Sequence, residues 1–386
     1  MPAPDRTAPA ARPDVLVLAK YYHPYNGGIE NSTKVFCEGM LDRHRVKVIA
    51  FNHEPGFARD MVNGVEVERH HVQIVLKSQP ISIGYLLATF RQRASITHFH
   101  APNVVASLAL AFRRPLRLIA IHHMDIFGRP KLRKIARNLY DRVLRHTDLL
   151  VVTSLKNAKV SADLRVPVAT EAVPLGIDVE KYAIGEADRA AAATWRRELA
   201  GDAPLVGFVG RHARYKGLDV LVRSLARLPG VHAAIAGNGP YRAEAEALAQ
   251  SLGIADRVHF LGEISETEKL RLLAGIDVFA FPSTEITEAF GISQLEAMLL
   301  GAAVAGSELP TGVTDIAVNE VTALTATPGD EAGFAEVMRR LLQDDTLRAT
   351  LARNARQHVL DNFTTQKMVS RFNVLNDRVL ALPATA

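Results

Sequence analysis

Short apolar runs recur along this chain, each followed by a stretch long enough to hold a helix. Residues 15–19, 46–51, 65–67, 96–99, 116–121 and 149–152 form one series. A second begins at 205–209 and continues through 233–236, 258–264 and 276–281. Short apolar runs between polar, helix-like stretches read as buried strands, and strand–helix alternation is the pattern of a doubly wound parallel sheet. Two such series in 386 residues predict an α/β chain of two domains. Loops that follow the strands gather at one edge of such a sheet, where ligands bind. No repeat at the level of sequence links the halves; the likeness is architectural.

Composition narrows the class. With 48% hydrophobic residues the chain can bury two sizeable cores. One cysteine, Cys37, excludes an internal disulfide and a cysteine metal cluster, and suits a reducing cytoplasm. No apolar window is long enough to span a membrane. Residues 1–13, rich in Ala and Pro, are predicted to be a disordered tail. Residues 1–180 carry 25 Lys and Arg against 16 Asp and Glu, ten of the bases between 113 and 145. Such a half suits an anionic partner, either lipid headgroups or a phosphorylated acceptor, or is a solvated face. No motif for nucleic acid accompanies the charge.

The most informative stretch opens at the last apolar run. Residues 276–281 lead into Pro282, a loop, and residues 292–300, where Leu295, Met298 and Leu299 share one helical face. Gly291 stands at the helix entrance, where unpaired backbone N–H groups and the helix dipole favour an anion. Glu288 precedes the glycine and Glu296 lies inside the helix. On a continuous helix these carboxylates stand about 12 Å apart, roughly the span from a ribose to a sugar across a diphosphate, each able to accept hydroxyl hydrogen bonds. Upstream, Arg211 and Lys216 follow a strand in Phe-Val-Gly-Arg-His-Ala-Arg-Tyr-Lys-Gly. A guanidinium clamps phosphate oxygens in pairs and an ammonium adds a mobile point charge. The bland reading of both is solvated loop charge, the reading given to Arg214.

In the first half, Lys-Tyr-Tyr-His-Pro-Tyr-Asn-Gly-Gly-Ile-Glu joins the strand at 15–19 to a helix at 31–41. Gly27 and Gly28 either let backbone approach a phosphate or form a tight turn. His98 and His100 share one face of a strand end, but no third ligand converges to make a metal site. Ile121-His-His-Met-Asp-Ile supplies a second histidine loop. A helix over 131–145 places Leu132, Ile135, Leu139 and Val143 at spacings of three and four among Lys131, Arg133, Lys134, Arg137, Arg142 and Arg145. This basic amphipathic pattern fits a membrane surface or a helix packed on its own sheet.

Glu288 and Glu296 in Glu-Ala-Phe-Gly-Ile-Ser-Gln-Leu-Glu-Ala-Met resemble the E-x7-E signature of retaining glycosyltransferases of the GT-B type, more narrowly family 4 (glycosyl transferases group 1), polysaccharide mannosyltransferase-like. The resemblance spans nearly the whole chain and is strongest over 206–315. It implies a GT-B fold, two Rossmann-like doubly wound parallel-sheet domains facing across a cleft. The N-terminal acceptor domain would span 14–175 and the C-terminal nucleotide-sugar donor domain 176–362, with residues 363–386 crossing back to the first.

The resemblance also implies roles. Arg211 and Lys216 match the diphosphate-binding pair, and Gly27 and Gly28, with Glu30 beside them, the glycine pair facing the donor. His123, with His122 as fallback, and Asp125 match a His-x-Asp segment near the transferred sugar; a structural His–Asp hydrogen bond is the alternative. Glu263 lies where relatives meet the nucleobase. Phe290, Gly291 and Ile292 meet the distal phosphate and sugar, Glu288 the sugar hydroxyls and Glu296 the ribose. Leu175 replaces the pattern's Asn at the interdomain turn. Asn319-Glu-Val-Thr-Ala replaces Asp-Gly-x-Thr-Gly, removing two glycines.

The function implied is metal-independent hexose transfer from a nucleotide-diphosphate sugar, GDP-mannose ahead of a UDP-hexose. The acceptor would be a glycan or polyprenyl-linked molecule of cell-surface polysaccharide synthesis, in the cytoplasm or at the inner face of the membrane. No cofactor besides the sugar nucleotide is expected, and no nucleic acid. A nucleotide-sugar epimerase and a non-catalytic nucleotide-sugar scaffold are the other readings of the same residues.

Overall fold

The computed structural model describes residues 14–25, 27–76, 79–126 and 129–383; the tail expected at 1–13 lies outside them. The chain divides into two compact units. One comprises Met1–Val152, Ser161–Val173 and Val369–Ala386, the other Thr153–Val160 and Pro174–Met368.

The sheet of the first unit is built from β1 (Val15–Leu18), β2 (Val46–Phe51), β3 (Ala58–Val62), β4 (Val65–His70), β7 (Ile96–Ala101), β8 (Leu118–His122), β9 (Leu149–Val152) and β10 (Thr170–Ala172). A separate hairpin is made by β5 (Ile74–Leu76) and β6 (Gln79–Ile81). The order is β10-β9-β8-β7-β1-β2-β4-β3, parallel throughout except for β3, which runs antiparallel to β4. β1, β2, β7, β8 and β9 are buried along their whole length, as expected of strands covered on both faces. β3 is largely exposed and turns into β4 through Asn63-Gly64 with φ of 48° and 87°, the signature of a tight hairpin.

The helix Thr365–Leu380 supplies part of this core. Phe372 packs with its ring centroid 4.3 Å from that of Phe36, tilted by 33°, and meets His98 edge-on at 5.1 Å. Asn373 donates to the Gly39 carbonyl at 2.9 Å, and a Cβ on Gly39 would lie 2.4 Å from the Val369 side chain. Only glycine lets the helix lie this close.

In the second unit β11 (Leu205–Val209), β12 (His232–Ala236), β13 (Val258–Gly262), β14 (Val278–Phe281), β15 (Ala303–Ser307) and β16 (Leu324–Ala326) lie in the order β13-β12-β11-β14-β15-β16. All pairings are parallel. The order reverses between β11 and β14, the switch point at which open α/β sheets bind ligands; the first sheet reverses likewise between β1 and β7. One face of the second sheet is covered by Leu218, Leu221, Leu225, Phe334 and Met338, the other by Leu272, Leu273, Leu295, Met298 and Val359. Each such side chain contributes about 1.5–3 kcal/mol by leaving water. Among the described residues no helix is long and apolar enough to cross a membrane.

The turn that lacks the pattern's glycines keeps a left-handed residue. Glu320 takes φ 59° while its N–H bonds Ala323 at 2.8 Å.

Candidate active site

The helix predicted over 292–300 is Ile292–Leu299, and residues 285–291 are not helical, so the two glutamates do not ride one continuous helix. Gly291 caps it at φ 85°, and a Cβ there would lie 2.7 Å from both the Phe281 ring and the Gln294 amide. The position demands glycine on both counts.

Glu288 is 8% exposed. Its Oε2 lies 2.5 Å from Lys216 Nζ and accepts from Ser283 Oγ at 3.3 Å. Lys216 extends from the loop after β11, over the face of Phe281. Gly217, at φ 69°, brings that loop so close to Pro282 that a Cβ would lie 2.0 Å from its carbonyl oxygen. Glu296 Oε1 accepts from Tyr182 OH at 2.6 Å and from Lys269 Nζ at 2.9 Å. Burial works against the Lys269 charge, but Glu296 and Glu266 outweigh it and hold its pKa above the ordinary value. Tyr182 is pushed up by burial and by Glu296. In each glutamate these contacts fall on a single oxygen, leaving the other free of these partners to accept a hydroxyl.

Arg211, exposed at the end of β11, lines a cavity of about 820 Å³ with Gly210, the turn Gly237–Pro240, Glu263, Ile264 and Lys269. Gly237 adopts φ 116°, its missing Cβ only 1.9 Å from the Gly210 carbonyl. Thus Arg211 and Glu263 share the cavity, Lys269 joins it to Glu296, and Lys216 and Glu288 pair beside it. Phe290 is buried and Ile292 half-buried at the helix entrance. Tyr182, Lys269 and Ser283 were not anticipated. Tyr182 and Lys269 meet Glu296 only through folding and no local motif marks them, whereas Ser283 lies five residues before Glu288.

The first unit gathers histidines instead. His100 Nδ1 lies 2.9 Å from Thr33 Oγ1 and 2.9 Å from His123 Nε2. The Thr33 hydroxyl also reaches Ile29 O at 2.8 Å. Burial and the neighbouring His122 hold His123 down to about 3, so it is neutral at physiological pH.

Asp125 does not pair with His123. It lies 3.4 Å from His122 Nε2, accepts from the Ser161 hydroxyl and takes the Ala162 N–H at 2.9 Å. Burial raises its pKa, but those three groups outweigh it and leave it at about 2. The His–Asp contact in this loop therefore belongs to His122, whose Nδ1 meets Tyr140 OH at 3.1 Å. His98 binds Asn376 at 2.8 Å. Among the described residues no group of three His, Cys, Asp or Glu side chains could hold a metal. Gly27 caps the helix Gly28–Glu38; a Cβ at Gly28 would meet open space, whereas one at Gly27 would strike Glu30.

Comparison with known proteins agrees with this architecture. The family described as glycosyl transferases group 1 matches residues 192–358, and Glycosyltransferase Family 4 matches 26–181. The D-rhamnosyltransferase WbpZ of Pseudomonas aeruginosa is 30% identical over 354 residues, 88% of each chain. The O-antigen chain mannosyltransferase C of Escherichia coli is 28% identical over 371 residues, covering 93% of this chain and 96% of that one. Among solved structures, Anabaena HepE in complex with UDP-glucose superposes with a TM-score of 0.74 at 22% identity, covering 95% of this chain and all of that one.

Proposed function

This chain belongs to glycosyltransferase family 4, and we propose that it moves a hexose from a nucleotide-diphosphate sugar to an acceptor hydroxyl with retention of anomeric configuration. It is a glycosyltransferase of GT-B fold; the donor, the stereochemistry and the residue roles are our reading. The observation that carries the reading is the pair of glutamates, each held by a lysine through one oxygen, flanking a helix entrance beside the Arg211 cavity.

In this reading Glu296 offers its other oxygen to the ribose, and Glu288 offers its own to the sugar. Arg211, Lys216 and the N–H groups at Phe290, Gly291 and Ile292 receive the diphosphate. As the bond from the anomeric carbon to phosphate oxygen breaks, negative charge grows on the departing diphosphate. Fixed cations and a helix N-terminus stabilise that charge most in the transition state. The acceptor hydroxyl attacks on the leaving-group face and its proton passes to the departing phosphate, so neither a covalent intermediate nor a metal is required.

GDP-mannose is the first donor to try, since one relative is named a mannosyltransferase of O-antigen chains. The acceptor is assigned to the first unit, where His123 is buried and neutral. A polyprenyl-linked glycan of the cell surface fits this unit. Leu132 and Ile135 are exposed rather than packed on the sheet, beside exposed Ile74, Val75 and Leu76. With Arg129 and Arg133, Leu76, Leu132 and Ile135 line a small apolar pocket of about 130 Å³, a surface suited to an anionic membrane on the cytoplasmic side.

The test is thermal unfolding with GDP-mannose, UDP-glucose and UDP-N-acetylglucosamine in EDTA. A donor at a hundred times its dissociation constant should stabilise the native protein by about 2.7 kcal/mol and leave Glu296→Ala unmoved. Equal stabilisation of that variant overturns the donor site.

A further inference from the structure

Thr153–Val160 follows β9 in the chain but packs with the second unit. Its short helix Leu155–Val160 sets Asn157 against the loop that carries Glu288. Asn157 Nδ2 donates to the Ala289 carbonyl at 2.9 Å and to Thr153 Oγ1 at 2.7 Å, while its Oδ1 accepts from Gly312 N at 2.9 Å. Gly312 N also reaches Ala289 O at 3.0 Å, so one carboxamide closes a hydrogen-bonded ring with two turns of backbone. The approach has no slack, since a Cβ on Gly312 would lie 2.8 Å from both Ala289 O and the Phe290 ring. Next to this ring, Thr311 Oγ1 donates to Glu288 O at 2.8 Å. Lys156 Nζ meets Thr314 Oγ1 at 2.8 Å and Asp315 at 2.9 Å, and the Ser154 hydroxyl bonds Asp315.

We infer that Asn157 is a positioning residue for the sugar end of the donor site. It holds the main chain at Ala289, and through it the Glu288 carboxylate and the Phe290–Gly291 helix entrance. The inference rests on the donor-site reading above. Asn157 touches neither of the site's charged pairs; it acts on the peptide between Glu288 and Phe290. A carboxamide can donate and accept at once, whereas aspartate only accepts and leucine does neither. Each hydrogen bond contributes modestly to folding, but a displacement of about 1 Å at a reacting centre costs on the order of a hundredfold in rate. The geometry therefore predicts a larger effect on turnover than on stability.

The experiment uses the full chain with GDP-mannose and UDP-glucose, reading release of the nucleoside diphosphate as the hexose is transferred to water, binding of GDP and UDP by calorimetry, and thermal unfolding. Asn157→Leu should lower kcat by roughly ten- to a hundredfold, with nucleotide affinity within about twofold of native. Asn157→Asp, close in shape, should also be impaired, because an oxygen replaces the donor facing Ala289 O. Loss of activity that merely tracks a lowered melting temperature and returns on cooling overturns the positioning role. Undiminished turnover in both Asn157 variants while Lys216→Ala is impaired overturns it too. Undiminished turnover in Lys216→Ala as well removes the donor-site reading itself.

Discussion

At the carboxyl ends of its central strands the first unit collects buried histidines, whereas the second collects ion pairs. His98, His100 and His123 are buried, and burial holds all three well below the ordinary value. Each finds a neutral partner in Asn376, Thr33 or another imidazole. In the second unit Lys216–Glu288 and Lys269–Glu296 meet with side chains only 10–14% exposed. A buried charge survives only with its opposite nearby, and each of these lysines has a carboxylate oxygen within 2.9 Å. Neutral rings can orient a hydroxyl; lysines held by carboxylates can turn their remaining N–H groups to phosphate. One sheet topology thus carries two kinds of polar cluster, one neutral and one of ion pairs.

The sharpest way to break this contrast is Lys216→Ala. If Lys216 meets the departing diphosphate as proposed, the loss should cost about 3–4 kcal/mol of transition-state stabilisation, seen as a fall of 10²–10³ in kcat/KM for nucleoside diphosphate release. A melting temperature lowered far enough to explain that loss would make the pair structural instead.

The next effect is acid sensitivity of the first unit. Below the ordinary histidine value of 6.5 the unfolded chain takes up protons that the buried rings refuse, so stability must fall as pH falls. By pH 5 the loss is about 2 kcal/mol for each ring that remains neutral. Urea unfolding at pH 7.5 and 5 measures it, and His98→Phe should flatten the slope. An unchanged slope would show that His98 titrates normally.

The smallest effect falls at Glu320. A left-handed non-glycine residue costs roughly 1–2 kcal/mol, partly offset by the entropy glycine loses on folding. Glu320→Gly should therefore raise stability by up to about 1 kcal/mol and leave turnover untouched, as paired unfolding and activity assays would show.

Much of this was legible beforehand because it is local. The strands at 46–51, 149–152 and 205–209 appear with the predicted ends, each an apolar run, the first interrupted only by Lys47. Ser265-Glu-Thr-Glu268 has the spacing of a capping box, and the box forms. β3 escaped because Ala-Arg-Asp-Met-Val has no apolar period; its signal was the Asn-Gly turn that follows. At the candidate site the glutamates, Arg211, Lys216 and Gly291 could be read from position relative to strands and helix. The partner of Asp125 could not, since adjacent His122 and His123 diverge only once β8 ends.

What the residues determined alone is the alternation of strand and helix, the glycines at tight approaches and the two carboxylates around a helix entrance, all properties of neighbours in sequence. Tertiary structure decided which carboxylate oxygen each lysine takes. It also decided that Tyr182 and Lys269 reach Glu296 and that Asn157 holds Ala289 from 132 residues away. Those contacts depend on where separate loops converge at a sheet's edge, and chain order encodes that convergence only through the packing of the whole unit.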